Sequence, residues 1–159
     1  MSRLLKICII LGTLIPISGI TSELPTDLEC LTANIFMESR GESYKGMKAV
    51  ADVTLNRANH PAFPDSICGV VKQHKQLSWV KGDKRSRKVL QGDLRGFKAE
   101  DVSAYRKAEQ VAVETLAEDY KPLLPKWVVS FHNKTVQPRW SATMKKYKVI
   151  GSHSFYGFK

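Results

Sequence analysis

The sequence predicts an α+β domain, mainly helical, with a small antiparallel sheet near the C-terminus. Three observations carry this. Residues 27 to 58 hold two segments whose apolar residues recur at helical spacing, with a cap before the first and glycine or proline behind each. A third such segment covers residues 100 to 120. Between 127 and 158 the chain turns to short aromatic and β-branched runs separated by turn residues, the composition of strands.

Taken in order, Thr26 followed three residues later by Glu29 is a capping-box signature, so the first helix starts at Asp27. It runs to Glu38 or Ser39 and stops near Gly41. The second helix covers residues 44 to 58, with Met47, Val50, Ala51, Thr54, Leu55 and Ala58 as its stripe. Asn59-His60-Pro61 and Pro64 end it, because a proline disfavours helix in the residue before it. Asp65 or Ser66 can cap a short helix carrying Ile67, Val70 and Val71. From Gln73 to Lys98 the periodicity is lost and a long surface loop is expected, its basic run from Lys81 to Lys88 forming a solvated face. The third long helix sets Tyr105, Ala108, Ala112, Leu116 and Tyr120 on one side and ends before Pro122 and Pro125. Residues 127 to 133 make a strand. Tyr147 to Ile150 and His153 to Phe158, joined by Gly151-Ser152, make a hairpin able to pair with it.

A chain of 159 residues with 43% hydrophobic content can bury one adequate core, which excludes disorder throughout, and no internal repeat suggests a second domain. The formal charge of +10 falls to +8 without the first 22 residues, which hold Arg3, Lys6 and no acid. Either value points to a polyanionic partner. Residues 1 to 22 have the basic, apolar and small-polar order of an export signal, as a cleaved peptide or a releasable signal anchor, leaving 23 to 159 as the folded domain. The expected product is exported to the periplasm, cell wall or medium, with transient membrane association through that signal. Cys8 lies within the signal. Cys30 and Cys68 are the remaining pair, and in an oxidising compartment they most simply form one disulfide, the alternative being two buried thiols.

The chemistry centres on Met37 to Glu42. Leu31, Ile35 and Glu38 lie at i, i+4 and i+7, so a carboxylate ends an apolar helical stripe. Desolvation there raises a carboxylate's pKa, as a general acid near neutral pH requires. Spacing alone favours the plainer reading, a solvated residue at a helix end. Competing chemistries find little support. The four histidines, His60, His74, His132 and His153, show no zinc spacing, although His132 and His153 could approach across the hairpin sheet. There is no G-x-S-x-G nucleophile and no glycine-rich phosphate loop after a strand. No metal and no cofactor are expected. Carboxylate chemistry remains, and glycosidic cleavage usually needs a second acid, for which Glu42 and Asp52 are nearest in sequence. Arg40 and Arg57 are expected to pair with Glu42 or Asp52 and hold the motif rigid.

Residues 30 to 42, Gly46 through Val53-Thr54-Leu55-Asn56-Arg57, and Phe63 to Val71 together resemble the SleB-type cell wall hydrolases, which include spore-cortex-lytic enzymes and phage-encoded peptidoglycan hydrolases. Gln76-Leu77-Ser78-Trp79 is similar to the family's Q-F-S-x segment. Phe131-His132-Asn133 and Pro138-Arg139-Trp140 resemble its later H-N and P-x-W elements. The likeness spans about residues 28 to 158 and is specific in combination. It implies a lysozyme-like fold of the lytic transglycosylase type, with cleavage between N-acetylmuramic acid and N-acetylglucosamine. It puts the catalytic acid at Glu38. It also makes a second carboxylate unnecessary, since one glutamate protonates the leaving oxygen and then takes the proton of the muramoyl 6-hydroxyl as the 1,6-anhydro ring closes.

Two departures stand out. Ser39 replaces the family's usual Ala, although Glu-Ser is the signature pair of the wider transglycosylase and goose-type lysozyme group, whose serine orients the glutamate. No wall-binding domain of the spore-enzyme kind accompanies the motifs, which favours a phage or housekeeping hydrolase. Trp79, Tyr156 and Trp140 offer faces for sugar stacking, and Gln76, Ser78 and Asn133 offer hydrogen bonds, with core packing or loop anchoring as the alternative for each. Ser39, Gln76, Ser78, Trp79, Asn133 and Tyr156 are thus the candidate substrate contacts, and Arg40, Glu42, Cys30 and Cys68 the structural residues. The expected partner is the peptidoglycan glycan strand, met by a monomer, with no nucleic acid. Two rivals remain: a metal-dependent amidase or endopeptidase, and a non-catalytic basic module binding wall polymer or nucleic acid through Lys81 to Lys88.

Overall fold

The computed structural model describes residues 24–73 and 83–158. Five helices precede a three-stranded antiparallel sheet: α1 Asp27–Ser39, α2 Tyr44–Ala58, α3 Ile67–Lys72, α4 Lys84–Leu90, α5 Ala99–Leu116, β1 Val128–Asn133, β2 Lys145–Ile150 and β3 His153–Gly157. A 3₁₀ turn, Arg139–Ala142, lies between β1 and β2. The expected signal at residues 1 to 22 lies outside the described residues. Among those described, no helix is long and apolar enough to cross a membrane.

Helix α1 begins where its capping box places it. The Thr26 hydroxyl accepts the Glu29 amide at 3.3 Å, and the Glu29 carboxylate accepts the Thr26 amide at 2.7 Å. The apolar stripe understates its burial: every residue from Cys30 to Phe36 is buried, including Thr32 and Asn34. Such a helix is buried on all sides, and α1 packs against α2, α3, α4 and α5. Leu31, Ile35 and Phe36 are fully buried, each contributing about 1.5–3 kcal/mol by leaving water. Asn34 is accommodated by donating to the Thr54 hydroxyl at 2.8 Å.

Helix α2, capped by Ser43, is shared between two cores. Met47 and Ala51 join the helical cluster around α1 and α5, while Ala49 and Val53 join Val128, Ile150 and Phe155 beneath the sheet. Its polar residues tie down the chain entering β1. Asp52 accepts the Leu123 and Leu124 amides at 2.7 and 3.0 Å and the Tyr120 hydroxyl at 2.9 Å. Asn56 donates to the carbonyls of Pro125 and Val128 at 3.0 and 2.8 Å.

Two elements differ from expectation. The stretch from Gln73 to Lys98 is not a continuous loop, since α4 forms within it, capped by Asp83, with Ser86 and Val89 as its buried residues and Gly92 (φ 64°) just past its end. Helix α5 ends at Leu116 rather than Tyr120; Leu116 is exposed, and Tyr120 has left the helix to reach Asp52. The strand order β1-β3-β2 puts β3 in the centre, all five of its residues buried. Cys30 and Cys68 are disulfide-bonded, joining α1 to α3 with Cα atoms 5.2 Å apart.

Candidate active site

Glu38 lies in the last turn of α1, half-buried, just past the buried run that ends at Phe36. Its neighbour in space is Arg57, at the end of α2. Burial lowers the Arg57 guanidinium to a pKa of about 10, and the negative charge of Glu38 opposes that shift. The Arg57 Nε donates to the Val129 carbonyl of β1 at 2.6 Å, and the guanidinium lies over the Phe63 ring at 5.3 Å. A buried cation, held by a strand and a ring, therefore stands beside the proposed acid. Next to it opens a cleft of about 410 Å³, walled by Phe63, Phe131, Trp140 and Phe158.

The expected pairing of Arg40 and Arg57 with Glu42 or Asp52 does not form. Arg40 points to α5, where its Nη1 meets Asp101 at 2.8 Å, and Arg85 of α4 shares that carboxylate at 3.1 Å. Glu42 crosses instead to the turn between β2 and β3. Its carboxylate accepts the Ser152 amide at 3.2 Å and the Ser152 hydroxyl, and lies 3.7 Å from His153 Nδ1. Gly151 makes this approach possible: its φ of 59° suits glycine, and a Cβ there would collide with Glu42 Oε2. Asp52 is buried among donors, and desolvation raises its pKa against the pull of Tyr120 and the two amides. Both acids considered as second carboxylates are thus engaged in holding the fold.

Ser39 is buried, and its hydroxyl donates to the Ile35 carbonyl at 2.7 Å, one turn back along α1. Asn133 is exposed at the end of β1, where its Oδ1 accepts the Thr135 amide and hydroxyl at 3.0 and 2.9 Å. Tyr156 belongs to an aromatic group on the sheet's outer face. His132 stacks on its ring at 5.0 Å and shares a 3.0 Å hydrogen bond with its hydroxyl, and the Trp140 edge meets both rings at 5.5 and 5.6 Å. His153 lies on the opposite face, packed against Phe131 and Phe155, so the two histidines do not converge. Among the described residues no group of three His, Cys, Asp or Glu side chains could hold a metal ion. Gln76, Ser78 and Trp79 lie outside the described residues. Sequence reasoning did not reach the role of Arg57 as neighbour to Glu38, or that of Asn56 as an anchor for β1. Both side chains are held by β1 carbonyls 72 positions away, Val128 for Asn56 and Val129 for Arg57, and only the fold brings them together.

Comparisons with known proteins agree with this architecture. The cell wall hydrolase family matches residues 41–156, beginning within the turn that follows α1 and so after Glu38. The spore cortex-lytic enzyme of Bacillus subtilis is 47% identical over 45 residues, 28% of this chain and 15% of that protein. The spore cortex-lytic enzyme of Oceanobacillus iheyensis is 24% identical over 136 residues, 81% of this chain and 41% of that protein. The chain thus spans less than half the length of these relatives. The catalytic domain of the germination-specific lytic transglycosylase SleB from Bacillus anthracis superimposes with a TM-score of 0.53 at 24% identity, covering 87% of this chain and 98% of that domain. The helical body and C-terminal sheet therefore form a lysozyme-like fold of the SleB type, and the chain belongs to the cell wall hydrolase family.

Proposed function

We propose that the protein is an exported lytic transglycosylase that cleaves peptidoglycan between N-acetylmuramic acid and N-acetylglucosamine, with Glu38 as both acid and base. The observation that carries this is that Glu42 and Asp52, the two acids considered as partners for Glu38, are both engaged elsewhere. Glu42 is committed to Ser152 and the vicinity of His153, and Asp52 to Tyr120 and two backbone amides. Residues 74 to 82 contain no acid at all. A hydrolase of the usual two-carboxylate type needs a nucleophile or water-activating base facing the acid. A transglycosylase does not, because the muramoyl 6-hydroxyl supplies the attacking oxygen and returns a proton to the same glutamate.

The remaining parts suit that cycle. Trp140 and Phe63 line the cleft beside Arg57 and offer flat apolar faces for sugar rings. Arg57 favours the glutamate anion that exists between the two proton transfers. Glu38→Gln keeps the shape and removes the titratable proton, so a folded variant without lytic activity on purified sacculi is expected; a fully active variant refutes the assignment. Mass spectrometry of the wild-type digest decides the reaction class. 1,6-Anhydromuramic ends are expected, whereas reducing ends would mean hydrolysis and new amino termini an amidase or endopeptidase.

A further inference from the structure

Residues 121 to 159 contain eight Lys and Arg side chains and no Asp or Glu, so the last quarter of the chain carries most of the net charge of +10. Folding places three of these cations on one strand of the sheet. β2 is an edge strand on which Lys145, Lys146 and Lys148 are exposed. Among the described residues the ion pairs lie elsewhere, and no carboxylate pairs with Lys134, Lys145, Lys146 or Lys148. Like charges collected without counter-charges repel one another, so an external anion is the natural complement.

The outer face of the sheet offers a place for one. A cleft of about 390 Å³ is lined by Lys134, Lys146, His132, Ser154 and Tyr156. The Lys146 ammonium lies 6.0 Å from the centre of the Tyr156 ring, which stacks on His132 at 5.0 Å. Trp140 touches both rings and also walls the cleft beside Arg57. Trp140 thus links the cleft beside Arg57 to the His132 and Tyr156 rings that line the lysine cleft.

We infer that this cationic cleft binds the carboxylates of the peptide side chains that the wall glycan carries, while the sugars themselves lie along Trp140. The inference rests on the wall-lytic reading above and assigns the substrate's peptide a site of its own. Lysine suits the task. Its ammonium is a compact charge with three rotatable donors on a flexible stem, able to follow a carboxylate presented at variable angles. Bidentate phosphate recognition favours arginine, and Arg139 is the single arginine in the segment. His132, Ser154 and the Tyr156 hydroxyl supply donors and acceptors for peptide amides.

Co-sedimentation with purified sacculi tests this, using the Glu38→Gln protein as parent so that no cleavage intervenes. Adding Lys134→Gln and Lys146→Gln is expected to weaken binding about tenfold, and Lys134→Glu with Lys146→Glu further still. Both side chains are exposed, so the melting temperature should not move. Amidating the wall carboxylates with carbodiimide and methylamine should weaken the parent by the same factor and leave the double Gln variant unchanged. Equal affinity of parent and double variant for native sacculi overturns the inference. So does a parent that binds amidated sacculi undiminished, and if that binding is then lost on stripping phosphodiesters with hydrofluoric acid, the occupant is a phosphate polymer instead. Affinity is read apart from digestion products. Absence of anhydromuramic ends would refute the proposed reaction without altering this comparison.

Discussion

Glu42 provides the sharpest test of how the site is built, because a second catalytic carboxylate and a structural tether predict opposite results on replacement. In the tether reading Glu42→Ala removes two hydrogen bonds to a carboxylate, from the Ser152 amide and the Ser152 hydroxyl. Bonds to charged groups contribute about 1.5–3 kcal/mol each. The Glu42 side chain is 11% exposed, so water recovers part of that loss, and a net cost of about 3 kcal/mol follows. For a domain of this size that lowers the melting temperature by about 10 °C. Glu42→Gln keeps an acceptor for the amide but loses the charge, and should cost about half as much. Calorimetry measures both, and lysis of sacculi well below the lowered melting point should persist in the Gln variant. Melting temperatures within about 2 °C of wild type, together with abolished turnover in both variants, would refute the tether and return Glu42 to the chemistry.

The disulfide between Cys30 and Cys68 closes a separation of 38 residues, and the chain-entropy relation gives about 4 kcal/mol for its loss; urea unfolding of the Cys30→Ser, Cys68→Ser double variant should show a loss of that order with an altered denaturant slope. Burial holds the His153 imidazole below its ordinary value of 6.5, Glu42 opposes that shift and His132 adds to it. A depressed histidine pKa means that the unfolded chain takes up the proton first. Its contribution is therefore fully present above pH 6.5 and is lost as pH falls from 6.5 through the lower folded value. His153→Phe, which keeps a ring against Phe131 and Phe155, should flatten the melting-temperature slope in that window, and an unchanged slope would sink the assignment.

Local signals made α1 and α2 legible in the sequence. Thr26 with Glu29 marks one helix start and the apolar stripe from Met47 places the other helix, and the observed N-caps are Thr26 and Ser43. Helix α4 escaped notice because Ser86 and Val89 are its buried residues and four of its seven side chains are cations, which hides the apolar period. Asp83 before it and Gly92 behind it were the available signs. The end of α5 was not legible at all. Asp52, about 70 residues earlier, captures Tyr120 and the amides of Leu123 and Leu124, and a long-range acceptor of that kind stops a helix without local warning. The central position of β3 was equally hidden, since burial on both faces removes the alternation that distinguishes one face from the other. In the site, helical phase put a carboxylate at the end of the apolar stripe, but only the family resemblance set Glu38 above a solvated helix end. That Glu42 and Asp52 were already engaged depended on partners 110 and about 70 residues away.

Two influences on Glu38 act in opposite directions, and the proposed cycle needs both. An acid that donates a proton and then recovers one must be tolerable as a neutral group and as an anion in the same place. Glu38 sits in the last turn of a helix with no basic side chain there, where the carbonyl ends of the helix disfavour negative charge. The Ser39 hydroxyl occupies the Ile35 carbonyl and so takes up one of those acceptors. Arg57, buried and fastened to β1 through Val129, favours the anion from the other side. A second carboxylate facing Glu38 would upset this balance by repelling the anion, whereas Glu42 and Asp52, turned toward the sheet and the 120–124 segment, support the walls that hold Glu38 and Arg57 together.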